Sequence, residues 1–296
     1  MPTSIPESAL SPTGSKNAGS RVVRRLAGHR AFLIGSALFL GVLLLAIFAD
    51  LIAPRPPAVM RFRDRFAPPG AAFPLGTDNF GRDLLSRVVY GARLSLEIGF
   101  SVVALTGVAG TVLGALGGYF RRLDAWLIVI LDALMAFPTV LLAIGIAAAL
   151  GPSAANAVIA LTAVYTPRTA RIVRASVLVI RELDYVQAAR AVGSGHGRIL
   201  LRHVLPNGMA PLIVQLTFIF AYAVLAEAIL SFLGMGPQPP TPTWGNIIAE
   251  GRVYMREAPW ISLFPGLAIA VTVLGLNLLG DGLRDALDPR MKVQSG

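Results

Sequence analysis

The sequence predicts an all-α, polytopic membrane protein with about six transmembrane helices, and three observations predict it. Over 296 residues the chain is 55% hydrophobic and only 14% charged, where a soluble domain carries roughly a quarter charged residues. The apolar residues gather into runs near the ~20 residues that a helix needs to cross the hydrocarbon core. The basic residues lie between those runs, and all are arginine except Lys16 and Lys292. The net charge of +10 therefore reads as the excess of basic residues in cytoplasmic loops. It does not read as a nucleic-acid surface, because no basic patch is interleaved with aromatic side chains. The absence of cysteine excludes disulfides, thiolate metal sites and cysteine nucleophiles.

Residues 1–30 read as a cytoplasmic tail, rich in Ser, Pro and Gly up to residue 20 and then basic at Arg21, Arg24, Arg25 and Arg30. The uncharged run Ala31 to Ala49 opens the first transmembrane helix, assigned to 31–52. It is too long for the apolar core of a signal peptide and lacks an Ala-x-Ala site, so an uncleaved helix is expected. Residues 53–92 form a polar, extracytoplasmic loop. The core, 93–290, holds five more helices at roughly 94–118, 125–149, 155–172, 209–233 and 261–281, with a cytoplasmic loop at 173–208; residues 291–296 are a C-terminal tail.

Orientation follows from the basic residues. With both termini inside, 17 of the 26 lie on the cytoplasmic side, which favours N-in/C-in. The opposing feature is the segment 53–93, which places seven arginines outside, softened by Asp64, Asp78 and Asp83.

Gly110, Gly114 and Gly118 recur at spacing four in the second helix, a pattern that lets helix backbones approach closely in lipid. Pro138 is expected to kink the third span, because it removes a backbone donor and clashes with the preceding turn.

The segment between the fourth and fifth spans is amphipathic. Arg168, Arg171 and Arg174 extend the fourth helix into the cytoplasm with a basic stripe. Asp184-Tyr185-Val186-Gln187 fits a capping box, with Asp184 capping and Gln187 reaching back. A helix from Tyr185 to Val192, ~12 Å long, would stop at Gly193. A second segment, Arg198 to Leu205, ends before Pro206. Small residues Ala188 and Ala189 on the first segment suit docking into a groove on a partner. An amphipathic loop lying on the membrane surface satisfies the same pattern.

Asp132 and Glu227 fall inside predicted spans, where a carboxylate costs roughly 3 kcal/mol at a helix centre. Each is a substrate or proton contact in the pore, or a structural group paired with an arginine or held protonated. Trp244 and Trp260 bracket an outer stretch as interfacial anchors, as packing, or as a seal on the pore. No His/Asp/Glu cluster has metal-ligand spacing. No catalytic constellation is present, and neither lysine follows a phosphate-binding loop. An ATP-driven mechanism would therefore place hydrolysis on another subunit.

Gln187-Ala188-Ala189, Gly193 and Leu205-Pro206 resemble the EAA signature of ABC importer permeases. Gln187 stands where that signature has Glu, and His203 where it has Ile. Further resemblance is carried by Pro74-Leu75-Gly76-Thr77-Asp78-Asn79-Phe80-Gly81-Arg82-Asp83, Ala226-Glu227-Ala228, Pro242-Thr243-Trp244-Gly245-Asn246 and Asn277-Leu278-Leu279-Gly280-Asp281-Gly282, closing on Asp288-Pro289-Arg290. Together these resemble the C-type permease subunit of dipeptide, oligopeptide and nickel importers, from about residue 25 to 292.

The resemblance implies the type I importer permease fold in the inner or plasma membrane of a prokaryote. It implies a pore that moves a small solute, with di- or oligopeptides foremost, by alternating access. Implied partners are a paralogous permease, two ABC ATPase subunits and an extracytoplasmic substrate-binding protein. ATP and Mg would be bound by the ATPases and no cofactor by this chain. Asp184, Tyr185, Gln187, Ala188, Ala189, Gly193, Leu205 and Pro206 would form the coupling element. An autonomous secondary transporter or channel is the alternative reading, and a membrane enzyme a third.

Overall fold

A computed structural model describes residues 25–287. The basic residues Lys16, Arg21 and Arg24, most of the tail assigned to 1–30, the closing Asp288-Pro289-Arg290, Lys292 and the tail 291–296 lie outside the described residues. Among those described, every regular element is helical.

The long elements are α1 (Arg30–Ile47), α2 (Leu84–Tyr119), α3 (Arg121–Met135), α4 (Thr139–Leu150), α5 (Ala154–Ile180), α6 (Asp184–Ala191), α7 (Met209–Phe232), α8 (Trp244–Gly251) and α9 (Trp260–Leu287). Among the described residues, α1, α2, α9 and the continuous helical run His196–Phe232 are long and apolar enough to cross a membrane. The α3/α4 pair adds a fifth if it is one span. The fourth predicted span, 155–172, corresponds to α5, which has 27 residues and carries Arg168, Arg171 and Arg174 in its second half. Its first half is packed inside the bundle: Ala157, Ala160, Leu161 and Tyr165 are buried in one cluster with Ile98 and Val102 of α2, Ala143 of α4 and Ile219 of α7.

Pro138 does more than kink its span. The helix stops at Met135, restarts at Thr139 and turns by 90° between the two halves. Both penalties of proline, the missing donor and the clash with the preceding turn, fall where Ala136 and Phe137 leave the helix.

Local chemistry fixes the other ends. Asp83 caps α2 by accepting from the Ser86 amide at 2.8 Å. Ser153 caps α5 by accepting from the Asn156 amide at 3.0 Å, and the Asn156 side chain donates to the carbonyls of Leu150 and Gly151. Thr243 and Asn246 form a complete capping box on α8.

α2 and α5 pack along the glycine column. A Cβ at Gly110 would lie 2.6 Å from Thr169, and one at Gly118 would lie 2.8 Å from Val177. At Gly114 it would meet the Ala170 carbonyl oxygen at a still shorter distance. Gly35 and Gly275 do the same for α1 against α9, each facing the other helix's backbone.

The ends of the bundle are chemically distinct. At one end His29 lies 3.1 Å from Asp285, so the start of α1 and the end of α9 share a face. The α2–α3 turn and α6 lie on that same face: Arg181 donates to the Gly118 carbonyl, and the Tyr119 hydroxyl lies 3.0 Å from His196 Nδ1. At the other end are residues 53–83 and α8.

Candidate functional site

The hairpin at the first face is built on α6. Val186 is fully buried with Ile180, Ile199 and Val204, so one side of the helix is anchored to the ends of its neighbours. The rest of its surface is open: Leu183, Tyr185 and Val192 are 43%, 43% and 82% exposed, and Asp184, Ala188 and Arg190 are exposed as well. The helix is terminated as its sequence requires. Gly193 adopts φ +82°; its amide donates to Arg190 and the Ser194 amide to Ala189, the paired bonds of a Schellman motif.

Two local expectations are corrected. The capping box is absent: Leu183 is the N-cap without a side-chain bond, Asp184 is the first helical residue, and Gln187 Nε2 donates to the Arg181 carbonyl at 3.0 Å. Asp184 still places an acid on the positive end of the helix dipole. The segment after Gly195 also does not end at Pro206. Helix from His196 continues through a π-helical turn at Leu200–Val204 and a 3-10 turn at Pro206–Gly208 into α7. Pro206 sits at N1 of that turn, where a missing amide is harmless. Leu205 is half-buried and Pro206 exposed. Tyr185 reaches across, its hydroxyl donating to the His203 carbonyl at 3.2 Å.

The basic stripe of α5 is engaged from the side. Arg171 pairs with Asp132 at 2.6 Å, and Arg174 pairs with Asp124, both acids being on α3. Asp132 is thus held in an exposed ion pair.

The other two polar candidates lie together near the opposite face, far from Asp132 in the chain. Glu227 on α7 is fully buried. It accepts from Ser95 of α2 at 2.8 Å and from Ser231 at 2.6 Å, one bond to each oxygen. Trp244 at the start of α8 is also fully buried, and its indole donates to the Val88 carbonyl at 3.0 Å. The next residue, Gly245, packs directly on Ala228. An interfacial anchor would leave part of the indole in the headgroup region, so Trp244 acts by packing. Trp260 is half-buried and donates to the Thr77 carbonyl.

The far end of α8 is fixed by charge. Arg87 bonds Asp78 at 2.6 Å and Glu250 at 2.8 Å, and Arg82 bonds Asp78 at 2.6 Å and also Glu250. Arg82, Arg87 and Asp78 are at most 2% exposed. With two further pairs, Arg55 with Asp83 and Arg93 with Asp50, four of the seven arginines of segment 53–93 have carboxylate partners. Asp50 accepts from the Tyr90 hydroxyl at 2.6 Å as well as from Arg93.

These elements match a known family. The model of the binding-protein-dependent transport system inner membrane component fits residues 110–293. The N-terminal TM domain of oligopeptide transport permease C fits residues 18–69. The chain belongs to the family of binding-protein-dependent inner-membrane permeases.

Among relatives of this permease, a Brucella abortus protein provisionally named a peptide transport system permease is 54% identical over 98% of both chains. The dipeptide transport system permease protein DppC of Alkalihalophilus pseudofirmus is 45% identical over 91% of this chain and 89% of its own. DppC of Escherichia coli is 47% identical over 89% and 90%. The chain is a pore-forming permease subunit of an ABC importer in the inner membrane.

Sequence reasoning missed Leu183, Val192 and Leu201, the exposed apolar residues around the hairpin. Their signal was present: large apolar residues outside any span. It also missed Arg82, Arg87 and Glu250, whose association spans 163 residues or more and leaves no local pattern.

Proposed function

We propose that this permease forms half of a heterodimeric pore with a paralogous permease and translocates di- or oligopeptides by alternating access. Two ATPase subunits bind ATP and Mg and supply the work; this chain performs no catalysis. An extracytoplasmic substrate-binding protein delivers the cargo. Both termini and the 173–208 segment face the cytoplasm, and the coupling element comprises Asp184, Tyr185, Gln187, Ala188, Ala189, Gly193, Leu205 and Pro206.

One observation carries the coupling assignment. α6 is anchored on one side by buried Val186 and leaves Tyr185, Ala188 and Val192 uncovered away from it. A short helix with an apolar face suits a groove on a partner. The peptide assignment is supported by the names of the relatives. Glu227 and Trp244 are read as supports that hold α8 over the outer mouth of the pore, and Asp132 as a brace between α3 and α5.

The test is cysteine crosslinking in native membranes. Cysteines at Ala188 or Ala189 should capture an ATPase subunit, and peptide uptake should require ATP together with the binding protein. Capture of no ATPase by either position would overturn the coupling assignment.

A further inference from the structure

Arg168 stands apart from the other two arginines of the α5 stripe. Arg171 and Arg174 pair with Asp132 and Asp124. Arg168 is exposed and has no ion-pair or hydrogen-bond partner among the described residues. It lies near the middle of α5, ~21 Å from one end and ~18 Å from the other. An unpaired guanidinium at that depth does not face acyl chains; it faces water or another polar group.

Its neighbours make the same demand. The side chains of Arg171 and Asp132 are 50% and 47% exposed. Asp132 accepts from Arg171 through Oδ1 alone, and its Oδ2 has no donor among the described residues. The break between α3 and α4 leaves Ala136, Phe137, Pro138 and Thr139 exposed. The Thr139 and Val140 amides there donate to no acceptor among the described residues. Irregular backbone at membrane depth is tolerated only inside protein or along a water-filled cavity. Topology brings this break to Arg168. The first half of α5 packs with α4 through Ala157, Ala160 and Leu161, and its second half pairs with α3. The elbow between α3 and α4 therefore lies against the stretch that holds Arg168.

We propose that this wall lines the translocation path and that Arg168 binds the terminal carboxylate of the passing peptide, with Asp132 Oδ2 open to its ammonium group. This rests on the reading that the cargo is a peptide. A peptide carries a terminal charge of each sign, and the wall offers one free cation and one free carboxylate oxygen. A carboxylate from a second subunit would answer the cation alone.

The experiment exploits the absence of cysteine from this chain. Ala136→Cys is introduced into the complete transporter in proteoliposomes. Its modification by anionic and cationic methanethiosulfonates is timed with Arg168 intact and with Arg168→Gln, in the nucleotide-free and the ATP-bound complex. The cysteine should react in at least one state, and Arg168 should favour the anionic reagent about fivefold at low salt. Arg168→Lys should keep that preference. Millimolar dialanine should slow the anionic reagent, and dialanine amide should not. Uptake of dialanine per ATP hydrolysed should fall several-fold in Arg168→Gln and recover in Arg168→Lys. A cysteine inert in both states would overturn the proposal by placing the wall against another subunit. A charge preference that survives Arg168→Gln, equal effects of dialanine and its amide, or unchanged uptake by Arg168→Gln would each overturn it too. A wild-type complex that imports no peptide would instead strike the functional reading, while the anion preference at Ala136→Cys would still report on Arg168.

Discussion

Arg181 donates from Nη1 to the carbonyl of Gly118 at 2.7 Å, tying the entry of the α6 hairpin to the last glycine of the column that packs α2 on α5. The carbonyl lies at the C-terminal end of α2, where helical carbonyls lack an intrahelical donor. One guanidinium thus joins the hairpin to the main helix pair. Arg181→Ala should lower substrate uptake per ATP hydrolysed several-fold while basal hydrolysis persists. Parallel uptake and phosphate-release assays on one preparation check this, and an unchanged ratio would show that the contact transmits nothing.

Gly114 has no room for a side chain. A Cβ there would strike the Ala170 carbonyl oxygen and Val173. Gly114→Val should cost at least about 1–3 kcal/mol through overpacking and lower the thermal midpoint in detergent. Gly117→Ala should be nearly silent, because its nearest neighbour would stand 3.5 Å away. Equal midpoints for the two variants would contradict the column as a close-contact seam.

Gly193 is constrained by its backbone alone. Nothing lies within 4 Å of a Cβ there, yet φ is +82°, a region that costs a β-branched residue about 1–2 kcal/mol. Gly193→Val should leave insertion and assembly intact but reduce uptake, whereas Gly193→Asn should retain most of it, since Asn tolerates this conformation. Normal uptake and normal ATPase stimulation by the valine variant would remove the helix terminus from the coupling path.

Glu227 and Glu250 support opposite ends of α8 by different means. Glu227→Gln keeps an acceptor and a donor for the two serine hydroxyls, which can rotate, and should be tolerated. Glu227→Leu leaves Ser95 and Ser231 without their partner and should cost about 1–3 kcal/mol. Glu250→Gln leaves Arg82 and Arg87 sharing Asp78, a loss near the lower end of the ~3–5 kcal/mol for breaking a buried pair, because Glu250 is 19% exposed. Hydrogen exchange should rise across α8 in the Glu250 variant and remain low in α2 and α5. Uniform loss of protection would mean that the network stabilises the whole bundle instead.

What could be read from the sequence was what is local. Apolar runs mark the spans, and a glycine after Val192 marks a helix end, because each depends on neighbouring residues. The glycine spacing in α2 was visible, but Thr169, Ala170 and Val173 as its partners were not. Asp184 and Gln187 have the spacing of a capping box, yet Gln187 finds the Arg181 carbonyl at 3.0 Å, an acceptor supplied by the preceding turn. Pro206 looks like a terminator, but a proline ends a helix only where its missing amide is needed. Trp244 has the character of an interfacial residue, and its burial depends on Gly91 and Val88, more than 150 positions earlier. Of the seven arginines of 53–93, Arg82 and Arg87 find their second carboxylate only when Glu250 is placed beside them.

That last association also sets an order of events in biogenesis. Arg82 and Arg87 emerge early, with Asp78 as their shared buried carboxylate, and the second partner arrives with Glu250 only after α3 to α7. Until then two buried guanidiniums share one carboxylate, and the network that holds the far end of α8 is incomplete. A ribosome-bound chain ending before residue 250 should therefore expose this region to protease, and quality control has a natural checkpoint in the arrival of a single glutamate.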